Sequence, residues 1–380
     1  MLYYAFPVML PALTRDTGWS PAAATAVFSA ALVVSAVAGI PVGHVIDRVG
    51  PRWIMTLGSV AGAGGFAVIS TAGNLGVFFV GWTIIGLAMS ATFYQPAFAA
   101  LTRWYGLNRV RALTTLTLAG GLASTVFAPL TATLSDAFGW RRAGLILALT
   151  VLVIATPLHA FALKGSWPHE QSAAPKNAGH AGDQVRSAHV VRTRAFLALA
   201  AALTLSGFAM YAVVFGLIPL LTHRGATTTQ AAWALGLGGL GQTLGRVLYS
   251  SLARRTSPRA RTASLIFAGA VTTAALAALA SPIWLLTATA MVAGSVRGNL
   301  TLLQATAVPD RWGTTSYGRI TAVLVAPVTI AGALAPWVGT VLAQPLGGYP
   351  NLFWLLTGIS CVAVVLALAG QEPVTSLRKR

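Results

Sequence analysis

The segment from residue 43 to residue 52 reads GHVIDRVGPR and lies between two long apolar stretches. It contains Asp47, one of only seven Asp and Glu residues in the chain. A second, less regular copy, SSLARRTSPR, begins 207 positions later and covers residues 250–259. The duplication predicts two halves built on one plan, and the apolar stretches around both copies indicate that this plan is a membrane one.

The composition is typical of a membrane protein. Hydrophobic residues make up 56% of the 380 residues and charged residues only 8%, and the mean hydropathy is +0.74. Because a helix needs about 20 apolar residues to cross a bilayer, the apolar runs predict an all-α membrane protein with twelve spans. The first span, over residues 2–13, is expected to be truncated, because about 18 Å of helix is too short to cross. The other spans are predicted at residues 22–42, 53–72, 77–101, 112–134, 141–162, 195–221, 231–252, 262–280, 283–307, 318–343 and 350–369.

One long polar stretch divides the spans into six and six. Residues 164–194 are rich in Gly, Ala, His and Ser and lack apolar periodicity, which indicates a flexible linker. We therefore predict an N-terminal six-helix bundle over residues 1–163, a linker over 164–194 and a C-terminal six-helix bundle over 195–380. The repeat extends beyond the first segment: residues 103–104 align with 311–312, and residues 128–129 align with 335–336. Parallel six-span halves are a plan of membrane transporters.

The basic residues predict the orientation of the spans. Nineteen of the 25 Lys and Arg residues fall on the side that carries Asp47, four fall on the other side, and two lie inside spans. By the positive-inside rule the Asp47 side is cytoplasmic, so both termini are expected in the cytoplasm of a multi-pass protein of the inner or plasma membrane. The clustering of these charges between apolar runs argues against a nucleic-acid partner. The single Cys361 lies inside the last run, which excludes a disulfide framework and a cysteine-based metal site.

The segment from 43 to 52 resembles the signature of the major facilitator superfamily of secondary transporters, Gly-x-x-x-Asp-Arg-x-Gly-Arg-Arg, in the loop between spans two and three. The matching positions are Gly43, Asp47, Arg48, Gly50 and Arg52, and Pro51 replaces one basic residue. The resemblance covers essentially the whole chain, through its spans, linker and repeat. It implies two six-helix bundles related by a pseudo-two-fold axis, which rock about a site near the middle of the membrane.

A narrower similarity concerns the start of the chain. The stretches YYAFP at residues 3–7 and GWS at residues 18–20 are similar to bacterial members grouped near the monocarboxylate and oxalate/formate porters. The antiporter signature of the family's fifth span is only partly matched, at residues 120–121 and 128–129, and we do not infer antiport from it.

The resemblance also implies a gating role for Gly43, Asp47, Arg48, Gly50 and Arg52. In the family the carboxylate at the Asp47 position engages the eleventh span, which is expected to start near residue 317. The dipole of that helix would support the contact by about 0.3–1 kcal/mol. Gly43 would permit a close backbone approach, while Arg48 and Arg52 would pair locally or contact lipid phosphates. Ordinary charge for orientation is the alternative, and it explains the arginines better than it explains an Asp.

Two arginines lie inside predicted spans, in which no Asp or Glu is available to neutralise them. Arg297 is about 14 residues into the tenth span and Arg246 about 15 residues into the eighth, at nearly the same depth. An arginine in hydrocarbon costs at least about 2.5–3.5 kcal/mol, so each must face a cavity or a partner. We predict that Arg297 binds an anionic substrate. For Arg246, substrate binding and a structural role that braces neighbouring helices or reaches the membrane surface both stay open.

The remaining candidates for substrate binding are polar side chains on spans one, four, seven, eight and ten: Tyr3, Tyr4, Tyr94, Gln95, Tyr211, Gln242, Asn299 and Gln304. Each of them could equally form an interhelical hydrogen bond. Three Gly-x-x-x-Gly pairs, at 39/43, 241/245 and 294/298, predict close packing of helices without ligand contact.

No catalytic motif and no phosphate-binding loop occurs, so we expect neither an enzyme nor a cofactor. The sequence predicts a monomeric secondary transporter in the lipid bilayer that carries a small-molecule substrate. A small organic anion such as a monocarboxylate is the expected cargo. The alternatives are an efflux transporter for amphipathic drugs and a sensor that keeps the fold without transporting.

Overall fold

The computed structural model describes residues 1–106, 109–165, 167, 189–313 and 317–370, and within these ranges its regular structure is helical. The N-terminal half contains α1 (Ala5–Thr17), α2 (Pro21–Val49), α3 (Pro51–Thr71), α4 (Leu75–Thr92), α5 (Tyr94–Tyr105), α6 (Arg109–Gly121), α7 (Ala123–Thr150), a π-helical turn (Val151–Ala155) and α8 (Thr156–Ala162). The C-terminal half contains α9 (Arg194–His223), α10 (Thr228–Arg255), α11 (Pro258–Ala278), α12 (Ile283–Thr306), α13 (Pro309–Trp312), α14 (Tyr317–Ala343) and α15 (Tyr349–Ala369).

Local sequence signals explain where these helices begin and end. Ser20 precedes α2, and its hydroxyl accepts a hydrogen bond from the backbone three residues on. Thr227 and Gln230 form a complete capping box at the start of α10, which satisfies backbone donors that have no partner within the helix. Gly139 has φ 77° and interrupts the helical backbone of α7, so this element contains parts of two predicted spans.

In the described part of the chain, eight helical stretches are long and apolar enough to cross a membrane. The predicted count of twelve is therefore not confirmed. The first helix, α1, has only 13 residues, and α10 and α12 are not among the eight. Both contain an arginine and several glycines, which lower their hydropathy. Helices in the interior of a bundle, away from lipid, can carry such residues because protein surrounds them.

The two halves share contacts as well as sequence. Arg52 Nε donates to the carbonyl oxygen of Ala160 at 2.8 Å, near the end of α8. At the matching place in the second half, Arg259 Nη2 donates to the carbonyl oxygen of Leu368 at 3.2 Å, near the end of α15. Each arginine thus caps the last helix of its own half, where carbonyl groups lack helical partners. This correspondence supports the predicted repeat of residues 51–52 at 258–259.

The predicted linker falls largely outside the described residues. Of residues 164–194, the structure describes only 164–165, 167 and 189–194. The boundaries of the bundles at 163 and 195 stay a prediction, although α9 begins at Arg194.

The halves meet mainly in two places. In the first, α10 lies against α6 and α7, and the hydroxyl of Thr125 donates to the carbonyl oxygen of Gly236 at 2.8 Å. In the second, α2 lies against α14. There the backbone N–H of Trp337 donates to Ser29 Oγ at 3.2 Å, just after Pro336, a residue that disturbs the regular hydrogen bonding of a helix.

Candidate functional site

Two helix breaks lie near the middle of the molecule. The fourth span is interrupted at Phe93, whose backbone is extended, so that α4 ends at Thr92 and α5 begins at Tyr94. The fifth span is interrupted at Leu122, between α6 and α7. The start of α5 has no side-chain cap, and its backbone N–H groups therefore form a site that favours anions. Broken helices of this kind form the central sites of many transporters.

Four tyrosines gather beside the first break. Tyr3 and Tyr4 have ring centroids 5.1 Å apart, and the phenol of Tyr211 lies close enough to Tyr4 and Tyr94 for electrostatic interaction. Arg297 interacts in the same way with Tyr3 and Tyr211. The structure therefore brings together side chains of spans one, four, seven and ten that the sequence predicted as a site. We call these four rings the tyrosine cluster.

The guanidinium group of Arg297 has no partner in the described part of the chain. Its Nη2 atom is buried and makes no hydrogen bond, and the described ion pairs involve other arginines. The described carboxylates all lie near helix ends or breaks, at Asp16, Asp47, Asp136 and Asp310. A buried cation without a counter-charge is costly, so this position is suited to an anion that arrives from outside the protein.

Glycines allow α12, the helix that carries Arg297, to pack closely against α10. A Cβ atom on Gly294 would collide with the backbone carbonyl of Gly238, and one on Gly298 would collide with that of Gln242. The backbones of α10 and α12 can therefore touch only because these positions lack side chains. The predicted close packing is confirmed for the pairs 241/245 and 294/298.

Arg246 braces the two halves. Its Nη1 donates to the carbonyl oxygen of Thr117, which lies in α6, five residues before the break at Leu122. This hydrogen bond links α10 of one half to α6 of the other. Arg246 also lies near Tyr211, but its hydrogen bond favours the structural of the two roles left open by the sequence.

The four amide candidates differ in their surroundings, and Gln242 is buried, with its role in substrate binding still a prediction. Gln95 is exposed, and its side chain lies against Gly39. Asn299 is buried and donates to the carbonyl oxygen of Ser295 at 2.9 Å, one turn earlier in its own helix. Gln304 is partly buried and faces α9 at Gly207. A role in substrate binding stays a prediction for these three as well, and Asn299 is tied to its own helix.

An aromatic group closes the molecule on the side opposite Asp47. Phe6 stacks on Phe28 with ring centroids 4.5 Å apart, and Phe28 contacts Phe215 of the other half at 4.9 Å. Trp82 completes the group at 4.8 Å from Phe28. These rings are buried or nearly so. They separate the tyrosine cluster from that surface, so we call them the aromatic seal.

The carboxylate of Asp47 pairs within its own half. Its Oδ1 accepts a hydrogen bond from Arg103 Nη2 at 2.8 Å, and Arg103 is at the end of α5. The indole N–H of Trp167 donates to the backbone carbonyl of Asp47 at 3.2 Å, and Trp167 also lies against Gly50, whose φ of 84° suits glycine. The predicted contact between Asp47 and the start of the eleventh span, near residue 317, stays a prediction, and the residues just before that start, 314–316, lie outside the described residues.

One expectation for this segment needs correction. Among the described residues, no atom outside its own helix backbone and chain neighbours lies within 4 Å of the place where a Cβ on Gly43 would be, so the predicted close packing of the pair 39/43 is wrong at Gly43. Arg52 contacts the end of α8, which is the local pairing that the sequence allowed. Arg48 is exposed.

Sequence reasoning missed several contacts. Asp136 accepts a hydrogen bond from Thr229. This contact joins α7 of the N-terminal half to the first turn of α10 in the C-terminal half. Trp167 gave no signal because it lies in the polar linker. The break at residue 93 could have been expected, since Pro96 is typical of the first turn of a helix. In the described ranges no group of three His, Cys, Asp or Glu residues could hold a metal ion.

Known proteins resemble this chain over most of its length. Monocarboxylate transporter 13 of Bos taurus is 27% identical over 342 residues, which cover 89% of this chain and 76% of that protein. Monocarboxylate transporter 11 of Homo sapiens is 28% identical over 253 residues, which cover 66% of this chain and 51% of that protein. The chain thus spans about half the length of the human relative and about three quarters of the bovine one.

Solved structures share the fold. The nucleoside transporter NupG aligns with a TM-score of 0.73 at 13% identity, over 98% of this chain and 96% of that one. A structure titled for substrate recognition in proton dependent oligopeptide transporters aligns with a TM-score of 0.67 at 17% identity, over 97% and 95% of the two chains. The family model described as Major Facilitator Superfamily matches residues 1–282 and again residues 197–380. The chain is a multi-pass, all-α membrane protein, and it belongs to the major facilitator superfamily of transporters.

Proposed function

We propose that this protein is a secondary transporter of small organic anions, with monocarboxylates as the preferred class. The observation that carries the proposal is the guanidinium group of Arg297, which is partly buried and has no partner among the described residues. The names of the mammalian relatives, which are monocarboxylate transporters, support the same class.

The charges around Arg297 favour an anion. The tyrosine cluster supplies hydroxyl groups that can donate hydrogen bonds to an anion. The carbonyl oxygen of Thr117 accepts a hydrogen bond from Arg246, so we place the anion at Arg297 and not at Arg246. A carboxylate fits the guanidinium of Arg297 in a bidentate arrangement, and binding it removes the cost of the unpaired cation.

Transport would follow from rocking of the two halves about this site. In the present conformation the aromatic seal closes the side opposite Asp47. We infer that the Asp47 side faces the cytoplasm of the inner or plasma membrane, because most basic residues lie there. The site would then exchange with the cytoplasm in this conformation, and separation of Phe28 from Phe215 would open it to the outside. Such a carrier can act as a monomer.

Thermal stabilisation of the purified protein tests the anion site. Because a ligand that binds the folded state raises the unfolding temperature, we expect short monocarboxylates to stabilise the wild type. Arg297→Ala should lose this response, and Arg297→Lys should keep part of it, since lysine retains the charge without the bidentate geometry. Arg259→Ala, which removes an arginine far from the site, should respond like the wild type. Stabilisation by amphipathic drugs alone, or an unchanged response in Arg297→Ala, would contradict the proposal.

A further inference from the structure

A small cavity lies inside the C-terminal half, midway along its helices. Its walls come from α9, α11, α12 and α15, and they include Ser206, Met210, Thr273, Val296, Arg297 and Ser360. Counting along the helices places five of these residues about 13–20 Å from the nearer helix end, close to the depth of the membrane centre, and Thr273 about 8 Å from the end of α11. We call this cavity the rear pocket.

Arg297 joins the rear pocket to the tyrosine cluster. Arg297 is the one described residue that both lines the pocket and interacts with Tyr3 and Tyr211. On α9, Ser206 and Met210 are four residues apart and both line the pocket. Tyr211 lies on another face of α9, against Gly332 of α14. The rear pocket and the tyrosine cluster therefore lie on two sides of one side chain, that of Arg297.

The walls of the rear pocket suit an uncharged group. Apart from Arg297 its lining is aliphatic or carries hydroxyl groups. Thr273 donates to the carbonyl oxygen of Gly269 at 2.8 Å, and Ser360 donates to that of Leu356 at 2.9 Å, so both hydroxyls are satisfied within their own helices. A further carboxylate or ammonium group would find no counter-charge among the lining residues.

The size of the pocket limits what it can hold. The space open to the centre of a water molecule is about 40 Å³. One water needs roughly 10–15 Å³ of such space, so the pocket accommodates about three water molecules or a chain of about three carbon atoms. An acid whose carboxylate contacts Arg297 would fill it with about four or five carbon atoms in total.

We propose that the rear pocket is the specificity subsite of the carrier, which receives the aliphatic chain of a monocarboxylate and sets its maximum length. This inference rests on the proposed function of Arg297. The chain of the substrate replaces weakly held water in the pocket, and the carboxylate stays at the guanidinium group. The preferred substrates are unbranched monocarboxylates of about four or five carbon atoms, and dicarboxylates are excluded.

The dependence of binding on chain length follows from the hydrophobic effect. Burying one methylene group is worth roughly a fourfold gain in affinity. From acetate to a four- or five-carbon acid, the affinity should therefore rise about fourfold with each added carbon and then fall once the pocket is full.

Competition measurements with the straight-chain acids of two to eight carbons test the inference in the purified full-length protein. Val296→Ala enlarges the pocket and should shift the optimum to longer acids. Val292→Ala removes the same atoms one turn earlier in α12, where the side chain is exposed, and it should leave the optimum in place. Ser206→Leu fills the pocket and should lower the affinity for the five-carbon acid at least tenfold while changing that for acetate less than twofold.

The outcomes separate this inference from the proposed function. If the wild type binds carboxylates through Arg297 but Val296→Ala leaves the optimum unchanged, the rear pocket is not the subsite and only this inference fails. If Arg297→Ala binds every acid as the wild type does, the proposed function fails as well. Should Ser206→Leu not fold, Met210→Ala replaces it as a second enlargement, and an unchanged optimum in both enlarged variants overturns the proposal.

Discussion

At the scale of single residues, several described arginines cap helices. Arg52 and Arg259 donate to carbonyl groups at the ends of the last helices of their halves, and Arg224 donates two hydrogen bonds to the carbonyl oxygens at residues 276 and 277, near the end of α11. Arg297 differs from these three, because its buried Nη2 atom makes no hydrogen bond to a described residue. We therefore propose Arg297 as the residue that binds the anion.

Substitution of Arg52 tests whether its hydrogen bond to the end of α8 stabilises the protein. Arg52→Ala should lower the free energy of unfolding by about 1.5–3 kcal/mol, the range for hydrogen bonds to charged groups. Arg259→Ala should cost less, because its bond is longer and more exposed. Thermal unfolding of both variants in detergent measures the difference. An equal or larger loss in Arg259→Ala would contradict it.

The sequence identified Arg297 as a site residue because an arginine stands out in an apolar span. It could not identify the rear pocket. Ser206, Thr273 and Ser360 come from three different helices, and single hydroxyl residues are common in membrane helices, where they bond to the preceding turn. Only the packing of four helices brings these residues to one cavity.

At the scale of helices, close backbone contact fixes the position of the site. The glycines on α10 and α12 were recognisable from their spacing, and their packing is confirmed at residues 241/245 and 294/298. The same spacing at residues 39/43 gave a wrong prediction for Gly43, because spacing alone does not show whether another helix lies against the glycine. The fourth span was predicted as one continuous helix, because its apolar residues run on without interruption past Phe93, where α4 ends and α5 begins.

A glycine substitution at this contact should be destabilising. The Cβ in Gly294→Ala would collide with the backbone at Gly238, and overpacking of this kind costs about 1–3 kcal/mol. Gly64→Ala is the matched control, because Gly64 lies inside α3 with open space around it. That substitution should be neutral or stabilise by up to about 1 kcal/mol, since alanine favours helix. Equal unfolding temperatures for the two variants would count against the contact.

If Arg246 only links the two halves, its substitution should lower stability and leave substrate binding unchanged. Arg246→Met keeps much of the side chain but removes the donor to Thr117, so stability should fall by about 1–3 kcal/mol. The affinity for carboxylates should stay within about twofold of the wild type. Thermal unfolding and ligand titration on the same sample measure both effects. A tenfold loss of affinity with unchanged stability would assign Arg246 to the binding site.

At the scale of the whole molecule, the repeat could be predicted from matching segments, and the paired caps at Arg52 and Arg259 support it. The conformation could not be predicted. The sequence contains the rings of the aromatic seal on spans one, two, four and seven, but it does not say whether they meet. Their contact depends on the angle between the two halves, which changes during transport in this family's mechanism.

Substitution of Asp47 tests whether this segment controls the rate at which the transporter changes conformation. Its salt bridge with Arg103 is exposed and therefore contributes little to stability. If the segment acts as a gate, Asp47→Asn should slow uptake with little change in substrate affinity. Uptake rates and binding titrations in parallel give the answer. A large loss of affinity with normal turnover would reject the gating role.

The central claim is that the two halves carry an organic anion held at Arg297 from one side of the membrane to the other. Solute counterflow in proteoliposomes tests it most directly, because vesicles loaded with an unlabelled carboxylate accumulate the labelled one only if a carrier exchanges them. We expect transient accumulation of a labelled four-carbon monocarboxylate with the wild type and at least a tenfold smaller signal with Arg297→Ala. Absence of counterflow for every monocarboxylate tested, or an equal signal from the two proteins, would contradict the claim.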